Sequence, residues 1–304
     1  MRLVVLSFSH HGRGMARVAH NLGHEIVGTV ERVGSGADAA VGDKAVVYPW
    51  IGCGECDVCK SGEEQNCSRP RNLGVHVNGG YATHVTVPDA RYLVPYGDVP
   101  AQLAATYACS GLTAYGALKK VEQAVSGKHV LIIGAGGVGL AGVVIAQAML
   151  DAEIIVADID PAKLDAALAA GAHRVINPTD EGARKEIIKL TGGGARGAID
   201  FVGSGESVTF GFSALAHSGA LIVVGLFGGA ATFSVPLFPL KNLTVQGSKV
   251  GSLADLRALV ALAREGRLKP LPVTTRPLDN ADETLRDLMS GKIIGRVVLT
   301  PDQQ

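Results

Sequence analysis

The 304-residue chain carries 28 Lys and Arg against 28 Asp and Glu, so its formal charge is zero. A neutral chain argues against an extended nucleic-acid surface, which needs an excess of basic residues. Hydrophobic residues make up 47% of the sequence and charged residues 18%, a balance that excludes intrinsic disorder. Charges or glycines interrupt every long apolar stretch, and the N-terminal residues lack a secretory pattern. We therefore expect a cytoplasmic protein with no membrane association.

The length predicts two domains, and the sequence changes character between them. Residues 24–105 contain short β-rich runs separated by glycine and Asx turns, which indicate a small antiparallel, barrel-like unit. Its predicted strands are HEIVGTVERVG, DKAVVYPW, YATHVTVP and ARYLVPY, beginning at residues 24, 43, 81 and 90.

From residue 129 onward, strands alternate with helices, which predicts a parallel sheet with helices on both faces. The predicted strands are HVLIIG, EIIVADI, HRVIN, GAIDFVG, GALIVVG and LTVQGS. The helices between them are GLAGVVIAQAML, AKLDAALAAGA, EGARKEIIKLTG and SVTFGFSALAH. A helix from residue 253 that ends at Gly266 and a strand KIIGRVVLTP complete the chain.

The second of these helices has clear boundary signals. Asp160 is a suitable N-cap, Pro161 suits the first helical position, and Gly171 suits the left-handed exit. The preceding strand therefore ends near Asp158.

The segment after HVLII is a candidate dinucleotide-binding turn, because a GxGxxG motif here follows a strand and opens a helix. Gly134 permits the tight turn, Gly136 allows a pyrophosphate to approach the backbone, and Gly139 allows close packing of helix on strand. An ordinary glycine-rich turn of a flavodoxin-like domain is the alternative. The predicted cofactor residues here are Gly134, Gly136, Gly137, Val138, Gly139 and Asp158.

Asp158 also indicates which dinucleotide binds. A carboxylate at the end of the second strand accepts hydrogen bonds from both ribose hydroxyls and repels a 2′-phosphate. Ile159 and Asp160 follow it and supply no arginine, so NAD(H) is favoured over NADP(H).

Four of the five cysteines lie within fifteen residues, at positions 53, 56, 59 and 67. Four thiolates on one short loop can bind a single tetrahedral zinc, and a site with four cysteine ligands is structural because it leaves no open position. Disulfides and a nucleic-acid-binding zinc ribbon are the alternatives. A reducing compartment and the neutral charge disfavour them.

Six motifs in order make the sequence similar to the zinc-dependent alcohol dehydrogenases of the medium-chain dehydrogenase/reductase family. The resemblance runs from about Leu22 to Thr300. The motifs are Gly23-His24-Glu25-Ile26-Val27-Gly28, the four-cysteine loop, Gly79-Gly80-Tyr81-Ala82, Cys109-Ser110-Gly111-Leu112-Thr113-Ala114-Tyr115-Gly116, the GAGGVG turn at 134–139, and Gly291-Lys292-Ile293-Ile294-Gly295-Arg296.

The resemblance implies an α/β fold in which a Rossmann doubly wound parallel sheet is joined to a GroES-like β-rich catalytic domain. The catalytic domain would comprise residues 1–107 and 249–304, and the NAD-binding domain residues 108–248. It also implies reversible hydride transfer between an alcohol/carbonyl pair and NAD(H), with a catalytic zinc that polarises the oxygen. A homo-oligomer, a dimer or tetramer, is expected.

The resemblance assigns the remaining site residues. His24 and Cys109 match catalytic zinc ligands, and Glu25 matches a near ligand. Without the resemblance, His24 fits a core or turn histidine as well as it fits a ligand, and a lone cysteine such as Cys109 is more typical of a small buried hydrophobe. Thr113, Lys163, Val224 and Arg296 match cofactor-contacting positions, and Trp50 matches a wall of the substrate pocket. Surface or core roles are the alternatives for these side chains.

The N-terminal residues 1–21 depart from the family pattern, which has another cysteine ligand and a proton-relaying hydroxyl upstream of Gly-His-Glu. We expect a truncated or frame-shifted form with a weakly bound catalytic zinc and little alcohol oxidation, unless His10, His11 or His20 replaces the ligand. The competing hypotheses are a non-catalytic NAD-binding protein that retains only the structural zinc, and a zinc-independent quinone-type reductase. The reductase is disfavoured by the cysteine loop and the His-Glu pair.

Overall fold

The computed structural model describes residues 3–5 and 21–301. The chain forms two compact units, one comprising Met1–Leu112 and Val250–Gln304 and the other Thr113–Lys249. His10, His11 and His20, the alternative zinc ligands, lie outside the described residues. No helix within the described ranges is long and apolar enough to cross a membrane.

The elements are numbered here in chain order. The strands are β1 (Leu3–Val5), β2 (Glu25–Thr29), β3 (Lys44–Val47), β4 (Leu93–Pro95), β5 (Lys128–Ile133), β6 (Ala152–Ala157), β7 (Arg174–Ile176), β8 (Ala195–Asp200), β9 (Leu215–Val223), β10 (Thr244–Gly247), β11 (Val273–Pro277) and β12 (Arg296–Thr300). The α-helices are α1 (Asp57–Lys60), α2 (Ala101–Ala105), α3 (Leu112–Lys119), α4 (Glu122–Val125), α5 (Gly137–Met149), α6 (Pro161–Ala170), α7 (Ala183–Leu190), α8 (Gly205–Ser213), α9 (Leu237–Lys241), α10 (Leu253–Arg264) and α11 (Ala281–Met289). A π-helix, Tyr107–Gly111, precedes α3.

The first unit is built on a six-stranded sheet in the order β11–β12–β1–β2–β3–β4. Its neighbouring strands are antiparallel except β11 and β12, which run parallel. Strands from both ends of the chain therefore share one sheet. Glu25 begins β2 and Arg296 begins β12, so this sheet brings both residues into the same unit.

The second unit contains a parallel sheet in the order β10–β9–β8–β5–β6–β7. This is the order of a doubly wound nucleotide-binding fold, in which the first strand lies next to the second and fourth. Its strands read as continuous apolar runs because helices cover both faces. The predicted parallel α/β sheet is confirmed, and its core residues include Leu131, Ile133, Ile155, Ile187 and Leu221.

Capping residues in the sequence predict the ends of α6 and α10 close to where the structure has them. Asp160 accepts a hydrogen bond from the Ala162 N–H at the start of α6, and Gly171 ends the helix in the left-handed conformation. The helix predicted to end at Gly266 is α10, whose last residue is Arg264. These helix predictions are confirmed.

One predicted strand is absent from the structure. Residues 81–88, YATHVTVP, form no strand, although they alternate in hydrophobicity. Pro88 cannot donate a backbone hydrogen bond, and the His84 side chain pairs with Glu31 instead of filling a core. The prediction of a strand at residues 81–88 is wrong, because hydrophobic alternation alone does not create the backbone hydrogen bonds of a sheet.

Candidate functional site

The turn between β5 and α5 has the geometry of a phosphate-binding loop. Gly134 leaves β5 with a φ of 90°, and a Cβ on Gly139 would lie 1.8 Å from the Gly134 carbonyl oxygen. Only glycine therefore fits where α5 meets the turn. A Cβ on Gly136 would meet no atom within 4 Å, so there is open space beside the first residues of α5, Gly137 and Val138. A pyrophosphate fits there, because the N-terminus of a helix offers N–H donors and positive potential.

Asp158 follows β6 and is held beside this turn. Its Oδ2 accepts a hydrogen bond from the Ala135 N–H at 2.7 Å, and its Oδ1 accepts one from the Asp160 N–H at 2.9 Å. These bonds fix the carboxylate against the glycine-rich turn. A carboxylate in this position suits the ribose hydroxyls of NAD and repels the 2′-phosphate of NADP.

The other predicted cofactor contacts in this unit have protein neighbours of their own. Lys163 lies 3.7 Å from Asp160, Val224 directly follows β9 and donates its N–H to the Asp200 carbonyl, and Thr113 is buried in α3. Their contacts with NAD stay predictions.

The four cysteines of the zinc loop converge. Their sulfur atoms all lie within 4.8 Å of one another. The measured Sγ–Sγ distances are 3.5 Å for Cys56–Cys59 and 3.9 Å for both Cys53–Cys59 and Cys56–Cys67. A tetrahedral zinc with Zn–S bonds of about 2.3 Å requires sulfur separations of about 3.8 Å, so the loop fits this ion. A disulfide needs about 2.05 Å, and the thiols are free.

The loop also donates hydrogen bonds to the sulfur atoms. The backbone N–H groups of Cys53 and Arg69 donate to Cys67 Sγ. Hydrogen bonds from the backbone, led by the Glu55 N–H, lower the pKa of the Cys53 thiol to about 6. Burial raises the pKa of the Cys59 thiol to about 12. A bound cation would stabilise all four thiolates, including the buried one.

A buried carboxylate, Glu64, supports this loop. Its Oε2 accepts hydrogen bonds from the Gly52 N–H at 3.0 Å and from the Tyr92 hydroxyl at 2.6 Å, and Arg91 lies 3.1 Å from its Oε1. Because Gly52 precedes Cys53, Glu64 fixes the backbone where the zinc loop begins. The sequence patterns did not identify this residue.

Glu25 is fully buried and has hydrogen-bond partners on both oxygens. Its Oε1 accepts hydrogen bonds from the Ser110 N–H at 2.7 Å and from the Ser110 hydroxyl at 2.8 Å, and its Oε2 accepts one from the Arg296 guanidinium. Burial raises the pKa of Glu25, and Arg296 and Ser110 counter this effect. Both oxygens of the predicted near ligand are thus engaged by protein donors, and its exchange onto zinc stays a prediction.

The two predicted zinc ligands each adjoin one member of this pair. His24 precedes Glu25 and Cys109 precedes Ser110, and Glu25 and Ser110 are hydrogen-bonded to each other. Both side chains are buried, and Cys109 lies in the π-helix, a distortion common at functional sites. The Trp50 indole donates to the Ala108 carbonyl and its ring lies 5.1 Å from the His24 ring.

The structure differs from the expectation in two respects. Arg296, expected at a cofactor phosphate, is buried and donates to Glu25, so its phosphate contact stays a prediction. Among residues 3–5 and 21–301, only one group of three or more possible ligands lies close enough to share one ion, and it is the four cysteines. His24, Glu25 and Cys109 do not form such a group, and both Glu25 oxygens accept hydrogen bonds from Arg296 or Ser110.

Comparison with known proteins identifies the family. Residues 6–100 match the alcohol dehydrogenase GroES-like domain, a match that begins upstream of Leu22, and residues 137–265 match the zinc-binding dehydrogenase domain. An NAD-dependent alcohol dehydrogenase of Sulfurisphaera tokodaii is 38% identical, over 92% of this chain and 81% of that protein. A D-arabinose 1-dehydrogenase (NADP(+)) of Saccharolobus solfataricus is 34% identical over 92% of this chain and 81% of its own length.

Solved structures agree with the sequence matches. The alcohol dehydrogenase of the hyperthermophilic archaeon Aeropyrum pernix is 32% identical and superposes with a TM-score of 0.86, covering 93% of this chain and 83% of that one. The chain belongs to the zinc-dependent alcohol dehydrogenases of the medium-chain dehydrogenase/reductase family. The predicted fold, Rossmann plus GroES-like, and the predicted cofactors, zinc and NAD, are confirmed.

Proposed function

We propose that this chain catalyses reversible hydride transfer between a small-molecule alcohol/carbonyl pair and NAD(H), with His24 and Cys109 as ligands of a catalytic zinc. The unit Met1–Leu112 with Val250–Gln304 is then the catalytic domain, and Thr113–Lys249 is the NAD-binding domain. The alternative of a non-catalytic NAD-binding protein is not favoured, since NAD-dependent alcohol dehydrogenases are among its relatives.

The observation that carries the proposal is the pair of hydrogen bonds from Ser110 to Glu25. It supports the proposal because the residues just before this hydrogen-bonded pair are His24 and Cys109. Their imidazole and thiol are both good zinc ligands. A zinc bound by them would act as a Lewis acid toward the alcohol oxygen.

The remaining roles belong to the chain itself. Glu25 and Arg296 would neutralise each other in the interior and hold β2, which follows His24, in position. Trp50 would limit water access beside His24. The glycine-rich turn would bind the pyrophosphate of NAD, and Asp158 its ribose. The zinc ligands would thus position the alcohol, and the turn with Asp158 would position the cofactor.

NAD-linked turnover of a panel of alcohols and sugars tests the proposal. Formation of NADH should be measurable with at least one substrate and should be lost in Cys109→Ala and His24→Ala. Cys53 and its partners are left intact in both variants, so structural zinc acts as an internal control. Turnover that persists undiminished in both variants would contradict the assignment of the catalytic ligands.

We further propose that the protein is a homo-oligomer, a dimer or tetramer. Strand β10 lies at one edge of the parallel sheet. Large apolar side chains are exposed nearby in sequence, including Leu226, Phe227, Val235 and Leu240, which are 62 to 74% exposed. A second copy could cover these side chains. Light scattering of the purified chain measures its mass in solution, and a monomer would contradict this proposal.

A cytoplasmic location is proposed on the chemistry of the zinc loop. Four free thiols within reach of one another persist as zinc ligands in a reducing compartment and oxidise elsewhere. Fractionation of cells that express the full protein tests this assignment, and recovery from the culture medium or envelope would contradict it.

A further inference from the structure

Asp200 is a buried carboxylate that the proposed reaction does not use. It is the last residue of β8 and its side chain is completely buried. Its Oδ1 accepts hydrogen bonds from the Val202 N–H at 2.8 Å and the Gly203 N–H at 3.1 Å. Its Oδ2 accepts one from the Ser207 hydroxyl at 2.8 Å. A buried charge is tolerated only when it is paired or hydrogen-bonded, and here three donors satisfy it.

The same residue also binds a second loop through its backbone. The Asp200 carbonyl accepts hydrogen bonds from the N–H groups of Val224 and Gly225, at 2.9 and 3.0 Å. We call residues 201–204 the β8 loop and residues 224–228 the β9 loop. Asp200 therefore binds the β8 loop with its carboxylate and the β9 loop with its carbonyl.

The two loops pack without spare room. A Cβ on Gly225 would lie 2.0 Å from the Val202 carbonyl carbon, and a Cβ on Gly203 would lie 2.0 Å from the Gly225 oxygen. The β8 loop also reaches the glycine-rich turn, since a Cβ on Gly134 would lie 2.7 Å from Val202 Cγ2. A shift of the β8 loop must therefore displace its neighbours on both sides.

Ser207 extends this arrangement to helix α8. Its hydroxyl donates to Asp200 while accepting a hydrogen bond from the Ser204 N–H, and the Ser207 N–H donates to the Ser204 hydroxyl. The capping box of α8 is thus oriented by Asp200. The carboxylate fixes both ends of the β8 loop, which begins after Asp200 and ends at the cap residue.

We propose that Asp200 is a positioning residue of the NAD site, which sets the β8 and β9 loops against the glycine-rich turn. The inference rests on the proposed function, because that function assigns the glycine-rich turn with Gly134 to NAD, and the family resemblance places Val224 at the same cofactor. Asp200 acts through these loops and does not itself contact NAD.

The variant Asp200→Asn tests the role. Asparagine has the same size as aspartate but only one acceptor oxygen. Its NH₂ group would take the place of the other oxygen and would face one of the present donors, to which it cannot hydrogen-bond as an acceptor. We expect the dissociation constant of NADH, measured by fluorescence titration of the full chain, to rise about tenfold. The KM for NAD should rise with it while the KM for the alcohol stays within about twofold.

Ser207 supplies a second, milder variant. Ser207→Ala removes one of the three donors and should raise the NADH dissociation constant about threefold, whereas Ser207→Thr retains a hydroxyl and should restore tight binding. The matched control is Ile187→Ala in α7, which is buried in the same unit and lies outside both loops. It should lower the melting temperature without changing the NADH dissociation constant.

Amide exchange in the unliganded chain gives a readout that does not depend on cofactor binding. Exchange at Val202, Gly203, Val224 and Gly225 should accelerate at least about tenfold in Asp200→Asn and not in the control. Unchanged NADH binding and unchanged exchange in Asp200→Asn and Ser207→Ala would overturn the inference. Absence of NADH binding in the unmodified chain would overturn the proposed function instead, and the role of Asp200 at an NAD site with it.

Discussion

The Glu25 carboxylate and Ser110, 85 residues apart in sequence, are joined by two hydrogen bonds inside the protein. His24 and Cys109 are the residues that directly precede the two partners of this contact. Glu25 can be buried because its carboxylate accepts hydrogen bonds from two Ser110 donors and from the Arg296 guanidinium, which compensate for lost hydration. Both oxygens of this buried carboxylate are therefore hydrogen-bonded to other residues of the first unit.

Removing the Ser110 hydroxyl should destabilise this contact. Ser110→Ala leaves Glu25 with its backbone donor and Arg296, and we expect a loss of about 1 to 3 kcal/mol in the free energy of unfolding. Urea denaturation measures it. Ser290→Ala is the control, because the Ser290 hydroxyl is exposed and donates only to the Asp287 carbonyl. Equal stabilities for the two variants would show that the Ser110 hydroxyl contributes nothing.

The carboxylate of Asp158 should determine cofactor preference. NADH should bind at least about tenfold more tightly than NADPH, and Asp158→Ala should narrow this gap by weakening NADH binding and admitting the 2′-phosphate. Dissociation constants for both cofactors, measured by fluorescence, test the prediction. Asp165→Ala, an exposed substitution on α6, should leave the preference unchanged. Equal affinities in the unmodified protein would contradict the role of Asp158.

Removal of zinc from the four-cysteine loop should destabilise the catalytic domain. Stripping the metal with a strong chelator leaves the buried thiol of Cys59 beside three others, and the melting temperature should fall by several degrees. Cys56→Ser should lower the melting temperature by a similar amount and should make it less sensitive to the chelator than in the unmodified protein. Native mass spectrometry that finds disulfides among these cysteines instead of a bound zinc would contradict the metal site.

Asp287 should make stability depend on pH on the acid side. Hydrogen bonds from Arg276 and Lys292 lower the pKa of Asp287, so the folded state holds its proton less tightly than the unfolded state. The stabilisation is present above the ordinary pKa of an aspartate and is lost as the pH falls through the lowered value. Asp287→Asn should therefore flatten the acid limb of a melting-temperature profile.

The control for this measurement is Asp98→Asn, which replaces an exposed aspartate elsewhere in the same unit. Its acid limb should match that of the unmodified protein. A profile for Asp287→Asn that coincides with both would contradict the contribution of the ion pairs at Arg276 and Lys292.

The parallel sheet and the nucleotide turn were predictable because their signals are local. The strands of the second unit are short, mostly apolar runs, and Asp160 and Gly171 mark the ends of α6 in the sequence itself. The four cysteines were equally readable, since their ligand spacing lies within one loop. The GxGxxG motif at residues 134–139 likewise predicts the turn between β5 and α5 from adjacent residues alone.

The partners of the buried acids were not predictable. Nothing in the sequence pairs Glu25 with Ser110 or Arg296. The contact with Arg296 depends on strands from opposite ends of the chain joining one sheet, and the contact with Ser110 joins β2 to a π-helix 85 residues away. Glu64 and Asp200 were missed for a similar reason, since their hydrogen-bond partners, such as Tyr92 for Glu64 and Ser207 for Asp200, follow no local sequence motif. The strand predicted at residues 81–88 was wrong because hydrophobic alternation does not report backbone pairing.

The zinc content of the purified protein tests the central claim most directly. If His24 and Cys109 bind a catalytic zinc, even weakly, the unmodified protein dialysed against a zinc-containing buffer should hold two zinc ions per chain by elemental analysis, and Cys109→Ala treated in the same way should hold one. One zinc in the unmodified protein, or two in Cys109→Ala, would contradict the account.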